Sequence, residues 1–460
     1  MSEEAAATSS CFWPRGEIEI ARERMFATSI ALIAERHPHY RRLMSDHGLS
    51  AADFGSTADL VKLPVTTKAD YMAAPDDFRL DTTGLDEEMR AVWDVMYTTG
   101  STTGQPTPFV STTFDFYNIL TLNRNMMAIR GVRQTDVVAN LFPLTRYPHG
   151  AFTRAQQAPA VLNIPVVAAL PGNPSPHFSH SNKTEEAVLI VERTRATILW
   201  GVPSFVRRLL QKAEEMGADF TAVRMVFVTG EALYPAARAD LRDRLLRLGA
   251  HEPIVSGSYG MTEIQGGLIE CIDGSGFHNP LPDQHLIEIV DPDTQEPVRD
   301  GEEGIVLLSH LNRRGTVLLR YQVGDLSVMS KAPCPHCGAT TDRLVANPRR
   351  MDALVKIKGM LVNPDPVTAA LAADPDVTHF RLAVEHTDPS DTLSPDVLRL
   401  TVAVPSNVAD PSARLIDLIK RETGVTPVVG LIDPMTFEAE SKSWKEKSFE
   451  DRRKMSDVDD

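Results

Sequence analysis

Between Gly16 and Ser45, the apolar residues Ile18, Ile20, Met25, Ile30, Leu32 and Ile33 recur among charged ones at helical spacing, which predicts a helix. LSAADFGSTADL follows as a capped helix and turn. From about residue 90 the pattern changes to short apolar runs alternating with helices. These are DVVANLFPL, NIPVVAAL, the helix TEEAVLIVERT, ATILWGVP, the helix PSFVRRLLQKAEEMG and VRMVFVTGE. Such alternation predicts right-handed βαβ crossovers and a mostly parallel sheet covered on both faces.

Between Gly276 and Val328 the runs HLIEIVD, EGIVLLSHL and TVLLRYQVGDLSVM are short, β-branched and separated by turn residues, as in an antiparallel sheet or small barrel. After NPRRMDALVKIKGMLV, VTAALAADP and SARLIDLIKRETG read as helices, and FRLAVEH and LRLTVAVP as strands. The expected fold class is therefore α/β. A large domain spans residues 1–350, with a helical segment at about 16–90 and a β-rich part at about 270–345, and a small α+β domain spans 351–460.

Composition narrows the partners. With 460 residues and 42% hydrophobic content, two or three domains can each bury a core. A net charge of -15 repels phosphate backbones and anionic lipid, so nucleic acid is not an expected partner. No stretch of about 18 uncharged apolar residues and no basic, then apolar, leader is found, so no membrane partner is expected and the reading is cytoplasmic. Cys11, Cys271, Cys334 and Cys337 are too few to serve as a disulfide framework for this length. A homodimer is compatible with such a chain.

YTTGSTTGQPTPF, Tyr97 to Phe109, is rich in hydroxyls and glycine. A glycine-rich turn exposes successive backbone N–H groups, and serine and threonine add donors, so the loop is able to wrap phosphate oxygens. It lacks the G-K-[ST] of the common nucleotide loop. Taken alone, a polar hairpin connection explains it equally well.

The order TTGSTTGQPT, WGVPS, TGEAL, SYGMTE, RYQVGD and RRMDALVKIKG resembles the signature series of the adenylate-forming enzymes, the superfamily of acyl-CoA synthetases, adenylation domains and luciferases. HPHYRRLMSDHGL and LPVTTKADYMAAPDDF are similar to the opening of its phenylacetate:CoA ligase-like branch, so the resemblance spans nearly the whole chain.

The resemblance implies a role for each motif. Thr98, Thr99, Gly100, Ser101, Thr102, Thr103 and Gly104 form the ATP phosphate loop. Gly230 and Glu231 line the adenine side, Tyr259 stacks on adenine beside Gly260 and Met261, Thr262 approaches the α-phosphate, and Glu263 holds Mg²⁺. Asp325 accepts the ribose hydroxyls and Arg350 approaches ribose and phosphate. Asp352 is the hinge of a rotating small domain, and Gly359 stands beside the thiol's tunnel. The lysine that neutralises charge during adenylation falls on Lys445, with Lys442 and Lys447 as alternatives, because ESKSWKEKSFEDRRK lacks the glycine the branch places before it. No protein nucleophile is required, and no catalytic triad is apparent.

Cys334-Pro-His-Cys337, with Cys271 and His278 upstream, offers three thiolates and one imidazole, the ligand set of a closed, structural Zn²⁺ site. His336 is an alternative fourth ligand. His149, Phe152 and Trp200 are candidates for the acid pocket, by correspondence with the branch's aromatic acid pocket. The expected activity is ATP-dependent activation of a small, aromatic carboxylic acid through an acyl-adenylate, then transfer to CoA. Transfer to an amine or another small nucleophile is the alternative.

Overall fold

The computed structural model describes residues 9–98, 107–144, 150–172, 181–351, 355–357, 360–388, 394–406, 408–440 and 448–454. The N-terminal apolar stripe is helical but divided. Helix α1 (Arg15–Arg36) stops before Pro38, which has no amide hydrogen to continue the ladder, and the next helix begins at Pro38 with His37 as its cap. LSAADFGSTADL forms two 3-10 turns, Ala51–Asp53 and Thr57–Lys62, instead of the expected helix. Ser50 with Asp53 and Ser56 with Asp59 each close a capping box, which starts a second turn before the first can lengthen. Phe26, Ile30, Ile33, Tyr40 and Leu60 pack in one core with Leu318 and Tyr321.

Strands β1 (Val92–Tyr97) and β2 (Pro108–Thr112) form a separate antiparallel hairpin with Tyr97 opposite Pro108. A Thr112–Asp115 capping box starts α2 (Thr113–Ile129), and Asp115 also accepts the amides of Arg314 and Gly315, at 2.8 Å each. A Cβ at Gly315 would collide with the Val110 carbonyl, so this junction requires glycine.

The predicted parallel sheet is present. Strands β3 (Val138–Asn140), β4 (Val166–Ala168), β5 (Ile198–Gly201), β6 (Met225–Val228) and β7 (Ile254–Met261) lie in the order β4-β3-β5-β6-β7. Helices α3 (Gly150–Gln157), α4 (Thr184–Thr194), α5 (Pro203–Met216) and α6 (Pro235–Arg247) connect them. Every residue of β3, β5 and β6 is buried, which accounts for their unbroken apolar runs. Helix α5 shows the local logic: Pro203 opens it, Gly217 ends it at φ 64°, and Phe205, Val206, Leu209, Leu210 and Ala213 bury one face.

The β-rich part is neither a separate sheet nor a closed barrel. Ile254–Gly257 of β7 pair parallel to β6, and Ser258–Met261 pair antiparallel to β8 (Gly266–Ile269), so one long strand carries the sheet from one regime into the other. It continues through β9 (Phe277–His278), β10 (His285–Val290), β11 (Glu303–His310), β12 (Tyr321–Ser330) and β13 (Arg343–Leu344), in the order β8-β9-β13-β12-β11-β10, with β14 (Arg349–Arg350) paired to β12. TVLL stays outside the ladder because Arg320, at φ 46°, turns the chain before β12 begins.

Beyond a hairpin of β15 (Val355–Ile357) and β16 (Met360–Val362) lie α7 (Asp365–Ala373), β17 (His379–His386), β18 (Asp396–Ala403), α8 (Ser412–Thr423), β19 (Val428–Ile432) and β20 (Phe449–Asp451). Their sheet, in the order β19-β18-β17-β20, covers a distinct core that includes Val367, Leu371, Leu382, Leu400, Leu415 and Ile419. This α+β unit touches the large domain where Arg207 donates to the Val377 carbonyl at 3.0 Å and Tyr234 meets Thr368 at 3.1 Å. Among the described residues, no helix is long and apolar enough to cross a membrane.

Candidate active site

At the end of β7 the chain turns through Thr262–Ile264 and returns as β8 with Met261 opposite Gly266, so the hairpin tip presents Thr262 and Glu263. A Cβ at Gly260 would stand 2.6 Å from Thr229 Oγ1, which explains the glycine inside this strand. The Glu263 carbonyl accepts from His310 Nε2 at 3.0 Å, while His310 Nδ1 accepts the Leu318 amide at 3.1 Å. Those two bonds fix a neutral tautomer, and burial holds the His310 pKa well below its ordinary value.

Burial raises the pKa of the Glu263 carboxyl; the charges of Lys68 and Arg350 pull it back, and that of Asp325 pushes it up. A desolvated carboxylate among mixed charges suits a hard divalent cation, which would restore its ionised form. Asp325 and Arg350 are opposite one another in the β12–β14 pairing, with Arg350 Nε 3.5 Å from Asp325 Oδ1. The Tyr259 hydroxyl donates to the other oxygen of Asp325. Burial first, and then the charge of Asp325, drives the Tyr259 pKa well above its ordinary value, so the phenol remains a donor.

Thr98 closes the neck of the β1–β2 hairpin: its amide donates to the Thr107 carbonyl at 3.0 Å, and its hydroxyl accepts the Thr107 amide at 3.0 Å. The segment read from the sequence as a phosphate loop follows directly from this neck. Thr99, Gly100, Ser101, Thr102, Thr103 and Gly104 lie outside the described residues. Tyr71 joins this neck to the acidic tip: its hydroxyl donates to the Pro108 carbonyl, its ring stacks on Phe109 at 4.8 Å, and the charge of Glu263 reaches it.

Glu231 has a helix-capping role in addition to its place in TGEAL. Its carboxylate accepts the Ser204 amide at 3.0 Å and the Ser204 hydroxyl at 2.9 Å in the first turn of α5. Gly230 beside it has φ 93°. Phe152 sits on α3, its carbonyl accepting from Asn140 at 3.1 Å. Trp200 is 4% exposed and meets Phe227 edge-on at 5.5 Å, which makes it a layer of the sheet. Its indole N–H has no partner among the described residues. His149, Asp352, Gly359, Lys442, Lys445 and Lys447 lie outside the described residues.

Two further cations, to which sequence reasoning gave no role, lie near these residues: Lys68, within LPVTTKADYMAAPDDF, and Arg130. Lys68 opens the helix Lys68–Ala73 that brings Tyr71 toward Glu263. Arg130, at the end of α2, lies over Phe227 at 4.2 Å and donates to Ser256 at 2.8 Å and Ser258 at 2.6 Å. Burial lowers its pKa to about 9.

The four ligand atoms of Cys271, His278, Cys334 and Cys337 lie within 4.8 Å of one another. Cys271 and Cys334 sulfurs are 3.9 Å apart, and Cys337 Sγ is 3.4 Å from His278 Nε2. His278 Nδ1 donates to the Ile269 carbonyl at 2.9 Å, which turns the Nε2 lone pair toward the thiols. Burial lowers the His278 pKa to about 4, and the hydrogen bond shared by the two thiols lowers Cys271 while raising Cys337, so the pair holds one proton between them. A neutral imidazole and a thiolate are the states a zinc ligand needs, so this donor set fits Zn²⁺. His336 is exposed and outside the cluster.

A family model described as AMP-binding enzyme matches residues 81–312. The chain is 26% identical over 450 residues to a phenylacetate-coenzyme A ligase of Thermus thermophilus, an alignment covering 92% of this chain and 94% of that one. It is 26% identical over 368 residues to a phenylacetate-coenzyme A ligase of Aromatoleum evansii, covering 78% and 77%. A crystal structure of 2-hydroxyisobutyryl-CoA ligase in the postadenylation state, in complex with R3-HIB-AMP, superposes with TM-score 0.77 at 20% identity over 96% of this chain and 91% of that one.

Proposed function

Because this chain belongs to the AMP-binding enzyme family, in its phenylacetate-coenzyme A ligase-like branch, we propose that it is an AMP-forming ligase that joins a small carboxylic acid to coenzyme A. The acid's carboxylate attacks the α-phosphorus of ATP, the bond to the β-phosphate breaks and pyrophosphate leaves. The thiol of CoA then attacks the acyl carbon, loses its proton, and AMP departs.

The observation that supports this reading most is the convergence of Tyr259, Asp325 and Arg350 beside the hairpin tip bearing Thr262 and Glu263. Asp325 would accept the ribose hydroxyls, which would replace the phenol of Tyr259 or share the carboxylate with it. Tyr259, Gly260, Met261, Gly230 and the backbone of Glu231 border adenine. Thr98 through Gly104 hold the phosphates. Glu263 is the carboxylate that would hold Mg²⁺, whose charge balances the phosphates when bound. Lys445 supplies the remaining positive charge, and Asp352 is the pivot of a small domain beginning near residue 350.

His149, Phe152 and Trp200 are proposed to shape the acid site, and a small aromatic acid is the proposed substrate. The similarity to phenylacetate-coenzyme A ligases supports that choice. Cys271, His278, Cys334 and Cys337 would hold a structural Zn²⁺ with no open position for substrate. Acid-dependent exchange of labelled pyrophosphate into ATP tests the first step. Exchange with aromatic acids is expected, and its absence with every carboxylic acid tried would contradict the reading.

A further inference from the structure

An arginine close to an acid-binding segment invites the role of a carboxylate clamp, but the donors of Arg154 on α3 point elsewhere. Its Nη2 donates to Asp94 Oδ2 at 3.0 Å and to Gln265 Oε1 at 2.7 Å, its Nε to the Gln265 carbonyl at 3.2 Å, and its Nη1 to Gln157 Oε1 at 2.6 Å. The residue is 4% exposed. No motif predicts it.

Its partners belong to two segments of the proposed ATP site. Asp94 lies on β1, the strand that runs directly into Thr98 and the phosphate loop, beside a register shift between Val92 and Asp94. Gln265 closes the turn whose tip is Thr262 and Glu263, with its amide bonded to the Thr262 carbonyl at 3.1 Å. Gln265 has φ 57°, a left-handed conformation that glycine adopts freely and glutamine rarely does. Arg154 holds this residue by both its side chain and its main-chain carbonyl. The peptide that follows Glu263 by two residues is thereby fixed, and through Asp94 it is fixed relative to β1.

We propose that Arg154 is a positioning residue that locks the Glu263 turn in register with the phosphate-loop strand, so that metal and phosphates are held as one unit. This inference rests on the adenylation reading above. Displacing a metal-binding carboxylate by a fraction of an ångström weakens the metal–nucleotide complex before it weakens acid binding.

The test compares the wild-type protein with Arg154→Lys, which keeps the charge but loses the planar fork, and with Asp94→Asn. Gln265→Ala leaves the Arg154–Asp94 pair intact and serves where an Arg154 variant does not fold, as judged by thermal melting. Binding of Mn²⁺ with α,β-methylene-ATP is followed by electron paramagnetic resonance without any acid, and pyrophosphate exchange is followed in parallel. Expected are a roughly tenfold weaker Mn²⁺–nucleotide complex and a similar rise in KM for ATP, with KM for the acid within about twofold of wild type. Folded variants with wild-type Mn²⁺ and ATP saturation overturn the inference alone. A wild-type protein silent in exchange with every acid removes the adenylation reading, and this inference with it.

Discussion

The hydroxyl of Tyr259 donates to the carboxylate of Asp325, across 66 residues of sequence, and Arg350 stands 3.5 Å from the other oxygen of that carboxylate. The phenol that would meet adenine is thereby tied to the carboxylate that would meet ribose. One acid orients the aromatic ring and is itself oriented by a cation.

Replacing Asp325 with Asn removes the charge but keeps the shape. Hydrogen bonds to charged groups contribute about 1.5–3 kcal/mol, so KM for ATP should rise roughly tenfold to a hundredfold. Tyr259→Phe keeps the ring and loses only the tether, and should have the smaller effect. Steady-state kinetics at saturating acid check both; a larger loss in Tyr259→Phe than in Asp325→Asn would contradict the assignment.

Glu263 predicts a pH dependence of known sign. Burial raises its pKa, so on acidification it takes up a proton at higher pH than an exposed glutamate does. A divalent cation binds the ionised form. Apparent Mg²⁺ affinity should therefore be full at neutral pH and decline as pH falls, beginning above the ordinary glutamate range. Glu263→Gln should weaken Mg²⁺ binding and abolish this pH dependence. Mg²⁺ titrations at several pH values, read as pyrophosphate exchange, measure it.

The Cys/His cluster predicts about one zinc per chain after exhaustive dialysis, since a four-ligand site of this donor set is closed. Metal analysis measures the content directly. Cys334→Ser should lose the metal and lower the melting temperature, because the ligands tie the β12–β13 connection to β8 and β9.

Stability also rests on Arg238 and Glu270, both buried and paired through two bonds of 2.8 and 3.0 Å, with Glu270 also accepting the Gly257 amide of β7 at 2.6 Å. Arg238→Ala leaves that carboxylate buried without its counter-ion and should cost about 3–5 kcal/mol in denaturant unfolding. A loss below about 1 kcal/mol would mean that the pair does not support β7.

Much of this organisation was legible before the fold was known, and the exceptions have physical causes. Tyr259, Glu263 and Asp325 announce themselves because each sits in a short motif, SYGMTE or RYQVGD, that local sequence makes recognisable. Arg130 and Arg154 sit in none, and Lys68 lies in a quoted segment that gave it no role; all three meet their partners through the packing of segments distant in sequence. The β-rich part read as an antiparallel sheet or small barrel without its link to the parallel sheet, because alternation reveals strands and not their partners, and β7 changes partner halfway along its length. Glu231 shows the limit of a motif: TGEAL draws attention to the residue, while its carboxylate is directed to the cap of α5.

Incubation with ATP, Mg²⁺, a panel of small aromatic acids and CoA, with products identified by mass spectrometry, decides whether the protein is a CoA ligase. Expected are an acyl-adenylate without CoA, and AMP with an acyl-CoA thioester when CoA is added. An adenylate that persists unchanged in the presence of CoA, or is converted only by an added amine to an amide, would contradict it.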